Sequence, residues 1–282
     1  MSDVSRELDE LVRIARAAAA VVMRVYATPF AVDLKGPGDP VTEADREGNA
    51  LICGELAASF PGEAILAEES VPEDPAEIAA LTRRERVFFV DPLDGTREFA
   101  DRNGEFAVMI GLAERGRAAL GVVVMPTTGE ALFGWSGSGE GERGGAFVEA
   151  ADGSRQPLRV SAVSAPAEAT VVVSRSHRHP SLEPILDRLG VTRVVPTGSV
   201  GVKVARVVTG AADLYVHTGT GAKLWDSCAP EAVLRGAGGR FSDLEGRDID
   251  YGSPNLLLAA GIVASNGALH DAVLAAARGA RG

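Results

Sequence analysis

The stretch RVFFVDPLDGTREF at residues 86–99 constrains this chain more than any other. RVFFV is an apolar run of buried-strand length. Pro92 follows, and a proline has no N–H to give a central ladder, so a turn is predicted there. Asp91 and Asp94 flank that turn. In an unbroken strand, residues three apart point to opposite faces; across a turn, both carboxylates converge on one solvent-facing point. Gly95 and Thr96 come next, and a short helix over 97–100 presents its first N–H groups outward, where phosphate binds well. An acidic cup beside an anion seat is self-defeating unless a divalent cation stands between them. Mg²⁺ suits, being a hard ion that takes carboxylate oxygen and bridges to substrate phosphate. The ordinary alternative is a turn with an aspartate helix cap.

The elements around this stretch follow from periodicity. Leu8, Leu11, Val12, Ala15, Ala19, Val22 and Tyr26 recur at helical spacing. DLKGPGDPV at 33–41 reads as a loop by its glycines and prolines. A second helix is predicted over 42–60, with Thr42 at the N-cap and Asp45 at its third position, like a capping box. EAILA is a short strand ended by Glu68 and Glu69. Three apolar runs between Glu105 and Trp135, separated by turn signals, predict an antiparallel meander. GSGEGERGG at 137–145 is a flexible loop, and 152–160 is a hairpin leading to a domain boundary. Beyond it, strands at 170–174, 192–196, 213–217 and 256–265 alternate with helices near 181–190, 201–210, after Trp225 and over 268–279, an α/β layout. His270, on the last helix, is expected at the surface.

Charge and cysteine usage narrow the partners. A formal net charge of −11 over 282 residues repels a nucleic-acid polymer. A small phosphorylated substrate remains open, provided local cations receive it. Cys53 and Cys228 are far apart, which suits free thiols in a reducing compartment. Asp3, Glu7, Asp9 and Glu10 stand where a secretory leader would be basic, and Arg13, Arg16 and Arg24 interrupt the apolar N-terminal run. The expectation is a cytoplasmic chain with no membrane partner.

Two rival phosphatase chemistries do not match. A cysteine phosphatase needs five residues between Cys and Arg; Cys228 and Arg235 are separated by six, and Asp226 nearby opposes a thiolate. An aspartyl-phosphate enzyme needs Asp-x-Asp-x-Thr, and here the second Asp and the Thr each come one residue late. No Gly-rich Lys-Ser/Thr loop, HExxH or cysteine-pair zinc pattern is present. Taken singly, Glu68 and Glu69 read as a solvated strand end, and Asp45 and Asp226 as helix caps. Together they place carboxylates at the edges of separate elements, where loops carry chemistry.

DPLDGT, the preceding AEES, the upstream VTEAD and the later WDSCAPEAVL together resemble the inositol monophosphatase-like family of magnesium-dependent, lithium-sensitive phosphatases. The resemblance implies a layered α-β-α-β-α sandwich, α+β to α/β in class. It implies two halves, an N-terminal one over 1–158 and a C-terminal one over 159–282, with the active site between them. By position, Glu68, Asp91 and the Leu93 carbonyl are implied as ligands of a first Mg²⁺, and Asp91, Asp94 and Asp226 as ligands of a second. Glu68 with Glu69 is implied for a third. Thr96 paired with Asp45 resembles the pair that deprotonates the attacking water, and Gly95 and Thr96 would offer N–H groups to the phosphate. No covalent phosphoenzyme is implied. Relatives of this kind are often homodimers, although no segment here marks an interface.

Within the family, LDGTREF is similar to the 3′(2′),5′-bisphosphate nucleotidase branch, with Arg97-Glu98 where the inositol branch has other residues. The resemblance assigns substrate contacts to Ser174 and His177 of SRSH, to Ser199 and Lys203 of GSVGVK, and to His217 after the Leu-Tyr strand. His217 departs from the pattern: many of these enzymes carry an arginine there, which grips phosphate in a way a mostly neutral histidine does not. The implied substrate is 3′-phosphoadenosine 5′-phosphate, cleaved to AMP and phosphate, which would tie the chain to sulfur assimilation. Another small phosphomonoester, such as an inositol phosphate, and a non-catalytic nucleotide-binding regulator are the alternatives.

Overall fold

A computed structural model describes residues 3–36, 39–137, 144–176 and 179–280. Helices α1 (Asp3–Tyr26) and α2 (Glu43–Ser59) bracket strands β1 (Asp33–Gly36) and β2 (Asp39–Val41), which pair antiparallel. The loop expected over 33–41 is thus a hairpin. The side chains of β1 are mostly exposed, so no apolar alternation announces it. The capping box at Thr42 is present as expected.

The first large sheet holds β3 (Ala64–Ala67), β4 (Arg86–Asp94), β5 (Ala107–Glu114), β6 (Arg117–Met125), β7 (Glu130–Trp135), β8 (Gly145–Glu149) and β9 (Arg155–Pro157), neighbours in that order. Strand β3 runs parallel to β4, and the other pairs are antiparallel, the expected meander among them. Helix α3 (Pro75–Thr82) joins β3 to β4, and α4 (Thr96–Ala100) follows β4. The second sheet has the order β11 (Arg193–Thr197), β10 (Thr170–Ser174), β12 (Leu214–His217), β14 (Ile262–Ser265), β13 (Arg240–Ser242). Its helices are α5 (Glu183–Leu189), α6 (Val200–Val208), α7 (Leu224–Gly236) and α8 (His270–Ala280).

Both faces of the first sheet are buried, and the strand period decides what lies on each. On β4 and β5, Phe88, Val90, Val108, Ile110 and Leu112 pack against α1 and α2. The alternating Val87, Phe89, Ala107 and Met109 face α6, α7 and the second sheet. A fully buried side chain of this size stabilises the fold by roughly 1.5–3 kcal/mol. A third core joins the far face of the second sheet to α5 and α8. The layers therefore run α-β-α-β-α. Helix α7 lies very close to the sheet because Gly111 and Gly121 lie under it: a Cβ there would come 2.5 Å from Ala229 N and 2.2 Å from Ala229 O. That close approach fixes the helix that carries Asp226.

Three expectations are corrected. The strand predicted at 256–265 is β14 alone, because Gly261 turns the backbone to φ +74° just before it. Helix α7 begins at Leu224, ahead of Trp225, so Asp226 sits inside its first turn. His270 is 1% exposed, held between the hydroxyls of Ser242 and Ser265 at 2.9 Å each. Among the described residues no helix is long and apolar enough to cross a membrane.

Candidate active site

Strand β4 does not stop at Pro92. It continues to Asp94 through a bulge: Asp91 pairs with Met109 and Asp94 with Ala107, three steps on one strand against two on the other. The extra residue does what a turn was expected to do and re-aims one carboxylate. Leu93 N–H donates to Asp91 Oδ1 at 3.0 Å. Asp91 and Asp94 are 2% and 7% exposed, so neither is the solvent-facing group the sequence suggested. Ser199 Oγ donates to Asp94 Oδ2, Gly201 N–H donates to the same oxygen at 2.6 Å, and Val200 N–H donates to Oδ1 at 3.1 Å. Asp94 thereby ties the first sheet to the start of α6.

Behind the bulge, Thr42 N–H and Thr42 Oγ1 both donate to Asp45 Oδ2 at 2.7 Å. Thr96 Oγ1 stands 3.0 Å from Asp45 Oδ1 and 3.1 Å from the Leu93 carbonyl, which share its hydrogen. Burial pushes the Asp45 carboxyl up, and its bonds to Thr42 and Thr96 pull the other way. One aspartate thus serves both as the cap of α2 and as the partner of Thr96.

Glu68 and Glu69 follow β3 on a single 3-10 turn. Lys35 of the hairpin donates to both, at 2.8 Å to Glu68 Oε1 and 2.6 Å to Glu69 Oε1. Asp226 accepts from Lys223 N–H at 2.7 Å. The carboxylates also act on one another. Burial raises the Asp91 carboxyl well above the usual range, and Glu68, Asp94 and Asp226 push it the same way. Burial with Asp94 and Glu68 does the same to Asp226, and burial raises Glu68.

Among the described residues, no three carboxylate, histidine or cysteine side chains already stand in ligand geometry; Lys35 and the start of α6 hold several of these oxygens. The chemistry of the set nonetheless fits a hard divalent cation. Every donor is a carboxylate or carbonyl oxygen, and the burial and neighbouring negative charge that raise Asp91, Asp226 and Glu68 are what a bound cation would offset. Cys228 is buried and its thiol is pushed well up by burial, which agrees with its exclusion as a nucleophile.

A cavity of about 790 Å³ is lined by Glu68, Asp94, Gly95, Thr96 and Asp226 together with Ser174, Ser199, Lys203 and His217. Lys203 is 3% exposed, its ammonium 5.2 Å from the centre of the Tyr215 ring. Burial lowers it to about 8 against the pull of Asp94 and Glu98. His177 lies outside the described residues. The sequence did not single out Lys223 or His179, which also line the cavity. Lys223 stands 5.0 Å over the Trp225 ring, and its place three residues before Asp226 was the available signal.

An acid-floored cavity between two sheets, with a carboxylate–hydroxyl pair beside it, is the architecture of a metal-dependent phosphatase. The chain belongs to the inositol monophosphatase family, whose model matches residues 3–281. Among curated relatives it is 35% identical to the 3′(2′),5′-bisphosphate nucleotidase CysQ of Escherichia coli O157:H7, over 86% of this chain and 93% of that one. The solved structure of CysQ from Bacteroides thetaiotaomicron superposes with a TM-score of 0.74 at 25% identity, covering 93% and 97% of the two chains. An inositol monophosphatase from Anabaena superposes at 0.76 and 25% identity, covering 99% and 97%.

Proposed function

We propose that this chain is a Mg²⁺-dependent 3′(2′),5′-bisphosphate nucleotidase that converts 3′-phosphoadenosine 5′-phosphate and water to AMP and phosphate. The observation that carries the reading is the Asp45–Thr96 pair, 3.0 Å apart, beside an Asp91 whose carboxyl feels the charges of Glu68, Asp94 and Asp226. The relatives named for this activity support the substrate.

Glu68, Asp91 and the Leu93 carbonyl would hold one ion, Asp91, Asp94 and Asp226 a second, and Glu68 with Glu69 a third. Bound there, Mg²⁺ supplies the charge that makes water acidic and steadies the departing oxygen. Thr96 Oγ1, its hydrogen directed to Asp45, accepts a hydrogen bond from the attacking water. The water's proton passes through that hydroxyl to Asp45, whose burial makes it a stronger base. Gly95 and Thr96 N–H groups receive phosphate oxygens. A new P–O bond forms to the water oxygen, the bond from phosphorus to the ribose 3′ oxygen breaks, and that oxygen takes a proton from solvent. Lys203 contacts the sugar, with Ser174, Ser199 and His217 around the nucleoside.

The same reading places the division of the chain near residue 158, supported by strands of one sheet before it and of the other after it. It also places the chain in the cytoplasm, supported by Cys53 and Cys228 as free thiols. The test is phosphate release from 3′-phosphoadenosine 5′-phosphate, inositol 1-phosphate and fructose 1,6-bisphosphate under equal conditions. Preference for the first is expected, and preference for either of the others overturns the substrate. Saturable nucleotide binding with no phosphate released at any Mg²⁺ concentration would favour the regulator instead.

A further inference from the structure

Glu105, just ahead of β5, takes no part in the reaction described above, yet its side chain reaches three places in the other half of the molecule. Oε2 accepts from Gly198 N–H at 2.7 Å and from Arg175 Nε and Nη2 at 3.1 and 2.9 Å. Arg206 of α6 faces Oε1 at 3.6 Å. The Glu105 side chain is 18% exposed. The backbone is equally confined. A Cβ on Gly95 would come 3.0 Å from the Glu105 carbonyl oxygen, and one on Gly198 would come 2.9 Å from the same oxygen and 2.2 Å from Glu98 Cγ. Residue 105 is therefore the spacer between the Gly95-Thr96 turn and the Gly198-Ser199 turn.

The second turn is strained. Ser199 has φ +53° and ψ 142°, a conformation rare for any residue but glycine. The strained backbone turns Ser199 Oγ and the N–H groups of Val200 and Gly201 onto Asp94. Such a conformation persists only when its surroundings over-determine it. Here it is pinned at Gly198 by Glu105 and at Ser199 by Asp94.

We propose that Glu105 is a positioning residue: by drawing Gly198, Arg175 and Arg206 onto one carboxylate, it holds the 198–201 turn and so sets the direction of Asp94. The inference rests on the role given to Asp94 under the proposed function. A carboxylate is needed because two guanidinium groups and a main-chain N–H share it; a glutamine amide accepts the N–H but loses the charge-assisted bonds.

The experiment compares the full chain with Glu105→Gln, Glu105→Asp, Ser199→Ala and the Glu105→Gln/Ser199→Ala pair. Melting is followed by circular dichroism, Mn²⁺ affinity by electron paramagnetic resonance, and kcat and KM on 3′-phosphoadenosine 5′-phosphate. Glu105→Gln is expected to melt close to the parent chain while binding Mn²⁺ about tenfold more weakly and losing about 10- to 100-fold in kcat, a misplacement effect. Glu105→Asp, which keeps the charge, should recover part of both, and it carries the test if the glutamine variant folds poorly. Adding Ser199→Ala to Glu105→Gln should weaken Mn²⁺ binding little further, because both act on Asp94 through one turn. Unchanged Mn²⁺ affinity in Glu105→Gln, or full additivity in the pair, overturns the proposal. If the parent chain hydrolyses none of the nucleotide while its Mn²⁺ affinity still depends on Glu105, the proposed function fails and the positioning role stands.

Discussion

Replacing Asp45 with Asn separates proton transfer from architecture. Three hydrogen bonds converge on this carboxylate, from Thr42 N–H, Thr42 Oγ1 and Thr96 Oγ1. Bonds to a charged acceptor are worth roughly 1.5–3 kcal/mol and neutral ones roughly 0.5–1.5, so the exchange forfeits about 1 kcal/mol per bond. Against that loss, a neutral amide escapes the burial penalty that raises the carboxyl. The net cost to stability should therefore be about 0–2 kcal/mol, a fall in Tm of no more than about 8 °C for a chain of this size. Asparagine can keep the Thr42 N–H bond, and Thr96 can keep its bond to the Leu93 carbonyl. What is lost is the base. A positioned general base contributes about 10²- to 10⁴-fold, which is about 2.7–5.4 kcal/mol of barrier. The assay is kcat for phosphate release at saturating Mg²⁺, with Tm and metal affinity measured on the same samples. Turnover within about threefold of the parent chain, with the fold intact, would refute the Asp45–Thr96 route for the proton.

Other substitutions probe different parts of the molecule. Asp94→Asn should abolish most turnover and also cost about 1–3 kcal/mol of stability, since the buried donors at the start of α6 lose a charged acceptor; denaturant midpoints that match the parent would contradict this. Lys35→Ala removes the ammonium that competes for Glu68 and Glu69. Calorimetric titration should show Mg²⁺ binding about two- to fivefold tighter, in line with a partly exposed ion pair, and weaker binding would count against the competition. Burial pushes His270 down to about 4, so its neutral form is favoured in the fold. Its contribution is fully present above about pH 6.5, the ordinary value of the unfolded residue, and is lost as pH falls from there towards 4, with a ceiling of about 3 kcal/mol. Urea unfolding at pH 7.5 and 4.5 should show this slope in the parent chain and a reduced slope in His270→Asn; equal slopes would remove His270 as the cause.

Much of the fold was legible because it is written locally. The alternation in β4 and β5, the cap at Thr42 and the turn residues of the meander depend on neighbours along the chain. The hairpin of β1 and β2 was missed because main-chain pairing of exposed residues leaves no apolar period. Pro92 was read as ending its strand, whereas a bulge carries β4 on to Asp94. The bulge is a property of the pairing with β5, and β4 alone carries no sign of it.

The site divides in the same way. The sequence, through its motifs and the family they resemble, nominated the residues for the chemistry: Asp91, Asp94, Glu68, Asp226 and the Asp45–Thr96 pair. Only the tertiary structure decided what each oxygen meets. Lys35 reaches Glu68 and Glu69 from a hairpin more than thirty residues away. Asp94 is anchored by a helix that starts at residue 200, and His270 and Lys203 are buried rather than solvated. Burial and charge proximity depend on what packs from elsewhere in the chain. Gly111 and Gly121, for instance, let α7 lie against the first sheet.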